Sequence, residues 1–201
     1  MIYPPAIQVP GPTMKTSGYL TVSGVVGHSA VGYESGLLAV LNDVTSPREQ
    51  LASWHFSVLY DGTVWQHYDT NIRCWHAQGA NSFSIGIEHE GGHDPVDEPL
   101  TPPQLAASIA LVRWLGQQFG FPLKRQEGLW EHNEFANKPC PSGRIPWDLY
   151  VEEDMDTVTA QRLAALLAAS LIVLSGGDVR DLSQQDKDRL KEVSDAAQVL
   201  Y

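Results

Sequence analysis

Seven histidines and two cysteines are the side chains of this 201-residue chain best suited to metal or nucleophilic chemistry. The histidines stand at 28, 55, 67, 76, 89, 93 and 132, the cysteines at 74 and 140. The most conspicuous local pattern is His89-Glu90-Gly91-Gly92-His93, a literal H-E-x-x-H. Such a pattern gathers a zinc ion only on a helix, where residues four apart share a face. Here it follows a strand-like run, carries two glycines at its centre and meets Pro95. Glycine disfavours helix, and the residue before proline is pushed out of the helical region. The motif is therefore read as a decoy. A second grouping joins His132 and Cys140, in a loop-rich segment, to His28 at the end of a strand-like run. Two imidazoles and a thiolate suit zinc and leave a fourth position for water. By spacing alone that grouping stays open between a metal site, a structural cysteine, and a cysteine hydrolase with Cys140 as nucleophile and His28 or His132 as base.

The elements that must position these groups are legible in part. Residues 1–18, rich in Pro, Gly, Ser and Thr, read as an irregular lead-in. The β-branched run over 19–27 predicts a buried strand ending at His28, and 33–41 a short helix. Two β-rich runs, 54–60 and 63–68, flank Asp61-Gly62, a strong hairpin signal. Residues 84–90 form another strand candidate. Thr101-Pro102-Pro103-Gln104 opens the clearest helix, with Thr as N-cap, Pro at N1 and Gln at N3. Leu105, Ile109, Val112 and Phe119 recur at helical spacing before Gly120 and Pro122 stop it. Residues 123–150 read as mostly irregular. Beyond 150 the composition shifts to an Ala/Leu-rich helix, a Ser175-Gly176-Gly177 turn and a charged amphipathic helix, together a helical hairpin over 151–201.

A hydrophobic fraction of 43% with 18% charged residues describes a globular chain. A net charge of -11 argues against nucleic acid as a partner, which needs clustered Lys and Arg. The first residues lack a basic segment followed by an apolar one, so no signal peptide is expected. The longest apolar run, 163–174, is about half of the ~20 residues a membrane helix needs, and no membrane insertion is expected. Cys74, beside Trp75, is read as a small buried hydrophobe. His55 is expected in the core and His67 at the surface, while His76 stands in a loop where it would either line a groove or serve structure.

Several blocks, in order over roughly residues 20–150, resemble the type 2 N-acetylmuramoyl-L-alanine amidases, the superfamily shared by peptidoglycan recognition proteins and phage amidase-type lysozymes. They are Val25-Val26-Gly27-His28, Ser53-Trp54-His55-Phe56 with Asp61-Gly62-Thr63-Val64, and Cys74-Trp75-His76-Ala77 with Asn81. Ser84-Ile85-Gly86-Ile87-Glu88, Thr101-x-x-Gln104, and His132 with Lys138-x-Cys140-Pro141 and Pro146-Trp147 complete the set. The resemblance implies His28, His132 and Cys140 as ligands of a zinc ion (Zn2+), in the Cys form of the third ligand found in phage lysozymes. It implies Glu88 as general base and Lys138 as the cation that stabilises the oxyanion. One position departs from the phage branch: Trp54 stands where that branch has a catalytic Tyr, and indole cannot act as acid or base.

The reading is then an α/β catalytic domain over 1–150, a central mixed β-sheet flanked by helices, followed by the hairpin appendage. The expected activity is zinc-dependent hydrolysis of the amide between N-acetylmuramic acid and L-alanine in peptidoglycan. The expected setting is a phage endolysin held in the host cytoplasm until lysis. A muropeptide-recycling amidase and a non-catalytic peptidoglycan-binding module are the alternatives. Trp54, His76 and Asn81 are the candidate substrate contacts.

Overall fold

The computed structural model describes residues 1–47, 50–92 and 98–151, together with Gln184 and Asp188. Its strands in chain order are β1 (Ile7–Gln8), β2 (Thr16–Tyr19), β3 (Gly24–Ser29), β4 (Phe56–Val58), β5 (Val64–Gln66), β6 (Ile72–Cys74), β7 (Ser84–His89) and β8 (Leu129–Glu131). Two α-helices accompany them among the described residues, α1 (Glu34–Asn42) and α2 (Pro102–Phe119). A mixed six-stranded sheet runs β1-β5-β4-β7-β3-β8, and β2 pairs with β6 in a second, two-stranded sheet. Only β4 and β5 are antiparallel in the main sheet, joined through Asp61-Gly62, where Thr63 N donates to Asp61 Oδ1 and Gly62 adopts φ 88°.

Strands β7, β3 and β8, which run to one edge of the sheet, are parallel, with Val25 opposite both Ile85 and Leu129. Side chains alternate across a strand. Val25, Ile85, Ile87 and Leu129 point to one face and join Leu111, Val112 and Leu115 of α2 in the main core. Val26, His28, Gly86, Glu88 and Trp130 alternate with them and belong to the other face. Gly27 is dictated by the first face: a Cβ there would lie 2.4 Å from Ile145 and 2.9 Å from Trp147.

Helix α2 starts and stops as its sequence directs. Thr101 accepts from Gln104 N, prolines follow at the first turn, and Gly120 closes the helix in the left-handed region at φ 71°. Its buried side is Gln104, Ser108, Leu111, Val112 and Leu115, a stripe rotated from the expected one, since Leu105 and Ile109 only pack partly against the core. Gln104 is buried with its amide donating to Val58 O and Glu90 O, which ties α2 to the ends of β4 and β7.

Four short strands, β1, β2, β6 and β8, were illegible in the sequence. The lead-in is partly ordered: β1 adds to the sheet, and Lys15 is buried with its ammonium on Val40 O and Leu41 O, capping the C-terminus of α1. Strand β8 lies within the stretch expected to be irregular; a three-residue strand is too short for periodicity to register. The appendage expected over 151–201 lies outside the described residues, apart from Val151, Gln184 and Asp188, the last two helical. Among the described residues no helix is long and apolar enough to cross a membrane.

Candidate metal centre and groove

The register of the three parallel strands sets the site. His28 pairs with Glu88 across β3 and β7, and Gly27 pairs with Glu131 across β3 and β8, so His132 is the next residue on the far side. Glu88, His28 and His132 thus come into a row at the carboxyl ends of adjacent strands, all on the face away from α2. Cys140 arrives from the loop beyond, held by Asn133 N donating to its carbonyl and Ser29 N donating to its sulfur at 3.2 Å. The donor atoms of His28, His132 and Cys140 lie within 4.8 Å of one another, a grouping that can hold a metal ion.

Burial controls the charge of each member. It lowers His28 well below the usual imidazole range, helped by His76, His132 and His89, and it lowers His132, helped by the Lys138 ammonium. Both rings are therefore neutral at neutral pH, with lone pairs to offer. Burial pushes the Cys140 thiol up to about 12, with the nearby Glu88 carboxyl adding to the effect. A nucleophilic cysteine is activated by the opposite shift, which burial does not supply here. Glu88 is pushed up to about 8 by burial. Its Oε1 lies 3.8 Å from His28 Nδ1, and its Oε2 is buried with no hydrogen-bond partner.

A groove of about 830 Å³ opens beside this group. Its lining includes the apolar Met14, Leu51 and Trp75 and the polar His76, Asn81, His132 and Lys138. Lys138 is exposed there. Asn81 lines the groove, yet its side-chain oxygen already accepts from His76 N and Ala77 N, so it shapes the loop. His76 also lines it, but is buried with its Nδ1 3.1 Å from His28 Nε2.

Trp54 requires a correction. Its indole is 2% exposed, packs in a second apolar cluster with Leu37, Leu41 and Trp65, and does not line the groove. Its N–H donates to Ser57 Oγ, which stands 2.8 Å from His67 Nε2, while His67 Nδ1 meets Val9 O. His67, expected at the surface, is thus buried as a link in that chain. His55 is in the core as expected, with Nδ1 accepting from Gly86 N and Nε2 donating to Ile72 O.

The decoy at 89–93 resolves into structure as far as it is described; His93 lies outside the described residues. His89 ends β7 on the face opposite Glu88, between His28 O and Ser108 Oγ. Glu90 accepts from Glu34 N and Tyr60 N, capping α1 from a distant part of the chain. Gly91 and Gly92 then take φ 89° and φ 74°, which no helix tolerates. Sequence reasoning missed Arg144, whose buried guanidinium donates to Glu98 O, Ser29 Oγ, His89 O and Glu90 O and so braces the strand ends behind Cys140. Nothing in its surrounding sequence signals that role.

Residues 18–143 match the Amidase_2 family, described as N-acetylmuramoyl-L-alanine amidase. No curated protein matches the chain significantly by sequence. Solved structures do by fold. An endolysin N-acetylmuramoyl-L-alanine amidase from Clostridium intestinale aligns at 21% identity and TM-score 0.54, covering 72% of this chain and 92% of that one. AmpD aligns at 20% identity and TM-score 0.57, covering 75% and 96%. Peptidoglycan recognition protein-LE, solved with tracheal cytotoxin, aligns at 18% identity and TM-score 0.57, covering 73% and 93%. With more than half of its length matched to the family and the same fold in these structures, the chain belongs to the N-acetylmuramoyl-L-alanine amidase family.

Proposed function

We propose that this protein is a zinc-dependent amidase that cuts the bond between the lactyl group of N-acetylmuramic acid and L-alanine in peptidoglycan, as a phage endolysin. The observation that carries the reading is the convergence of His28, His132 and Cys140 within 4.8 Å, with His132 lining the groove beside them. The residues fit zinc on two counts. Two neutral imidazoles and a cysteine that zinc would hold as thiolate are a zinc donor set, and three such ligands leave a position for water. Glu88 stands beside that group, its Oε1 3.8 Å from His28 Nδ1 and its buried Oε2 unpartnered, so a cation held there would draw its carboxyl back to the ionised form.

Zinc bound there supplies Lewis acidity and lowers the pKa of water toward ~7. The chain's own groups do the rest. Glu88 takes the proton of the attacking water on its carboxylate and passes it to the leaving amine nitrogen. Lys138, at the mouth of the groove, sets its ammonium against the negative charge that develops on the scissile carbonyl oxygen. The groove lies along the glycan or stem peptide on either side of that bond. All three ligand positions carry donor residues, which favours catalysis over a binding-only module. The endolysin setting, with the protein in the host cytoplasm until release, rests on the Cys form of the third ligand.

Purified cell walls test this directly. Turbidity should fall with release of new L-alanine amino termini, and EDTA should abolish the loss. Reducing sugar ends without new L-alanine termini would overturn the proposal.

A further inference from the structure

Beyond its place on the groove, His76 has a geometry with a consequence for the metal centre. Its Nε2 lies 3.2 Å from the carbonyl oxygen of Ser84. A carbonyl only accepts, so that nitrogen carries the proton and donates. In a neutral ring the other nitrogen, Nδ1, is then an acceptor, and it stands 3.1 Å from His28 Nε2. His28 must therefore carry its proton on Nε2, which leaves Nδ1 with a free lone pair. That is the nitrogen facing Glu88 at 3.8 Å.

The protein is built to hold His76 in this place. Its ring lies edge-on to that of His28, 5.2 Å between centroids at 79°. It occupies the space above Gly86, where a Cβ would come within 2.7 Å of its Cγ and 2.9 Å of its Nδ1. Asn81 fixes the backbone beneath it by accepting from the N–H groups of His76 and Ala77. Ser84, the acceptor that starts the chain, is itself in β7, next to the strand that carries His28.

We infer that His76 is a positioning residue: through the Ser84 carbonyl it fixes the tautomer and ring orientation of His28, presenting Nδ1 to the metal. This rests on the zinc reading above. Partners of this kind typically change metal affinity by roughly 10–100-fold.

The test uses the full chain. In metal-free protein, nitrogen-15 NMR should show His28 as a single Nε2–H tautomer, and an Nδ1–H tautomer would overturn the inference. His76→Phe fills the space but cannot accept, so zinc affinity measured by chelator competition should weaken roughly 10–100-fold, with His28 no longer a single tautomer. His76→Asn, whose side-chain oxygen reaches the position of Nδ1, should restore most of that loss. Gly86→Ala should mimic His76→Phe by displacing the ring. Unchanged zinc affinity and an unchanged His28 tautomer in a folded His76→Phe would sink the proposal. Should His76→Phe fail to fold, the wild-type tautomer and the Asn variant decide. Absence of zinc binding by the wild type would instead count against the amidase reading, since the His28 tautomer is read without metal.

Discussion

The two faces of β7, β3 and β8 are made from alternate residues of the same short runs, yet they behave as different materials. Toward α2 the strands present Val25, Ile85, Ile87 and Leu129, an apolar layer closed by Leu111 and Leu115. Away from α2 they present His28, Glu88 and Gly86, a buried polar layer completed by His76 and, beyond the end of β8, His132. The first layer is held by area removed from water, which requires no directional precision. The second depends on directional hydrogen bonds such as that between His76 and His28, and an unmatched group in it, such as Glu88 Oε2, costs on the order of 1–3 kcal/mol. A sheet thus separates stability from chemistry by a shift of one residue.

Variants on the two faces should separate in the same way. The largest effect is expected from Cys140→Ser: zinc content by metal analysis falls to background, and wall hydrolysis with it, while the secondary structure seen by circular dichroism persists. Next comes Glu88→Gln, which should keep zinc but lose roughly 10²–10⁴ in kcat, measured as L-alanine termini released. Retained activity would remove Glu88 as the base. On the opposite face, Leu115→Ala should cost about 2–5 kcal/mol in urea unfolding, with zinc content and kcat of the folded fraction unchanged. A matching loss of kcat would show that the faces are not separable.

The smallest effect, per unit of pH, concerns acid. His55 and His67 sit on polar networks, and burial lowers both from 6.5 to about 4. The unfolded chain therefore takes up protons that the folded one refuses, and stability falls as pH drops. Each contributes in full above about 6.5 and loses about 1.4 kcal/mol per pH unit until about 4. Urea midpoints measured from pH 7 to pH 5 should fall accordingly. The penalty of Leu115→Ala should stay constant over the same range, because what it removes is apolar area, which does not titrate.

How much was legible can be seen at particular residues. The helix from Thr101 to Gly120 was readable because caps and prolines act locally, though its buried stripe was not, since Gln104 and Ser108 are buried for partners on β4 and β7. The glycines at 91 and 92 were enough to reject a helical H-E-x-x-H. The destinations of Trp54 and His67 were not readable, because each is fixed by a hydrogen bond to a residue whose position depends on the folded sheet.

The sequence by itself determined the residue types and their order: one imidazole more than a hundred residues before a second imidazole and a thiol, a carboxylate in a strand, a lysine two before the cysteine. Those choices fix what chemistry is available, since donor chemistry belongs to side chains. Only the tertiary structure decided which of seven histidines meet. Parallel register aligned His28 with Glu88 and carried His132 alongside, and the same register sent His89 to the far face. Adjacency across strands depends on pairing between distant segments, and no local preference encodes it.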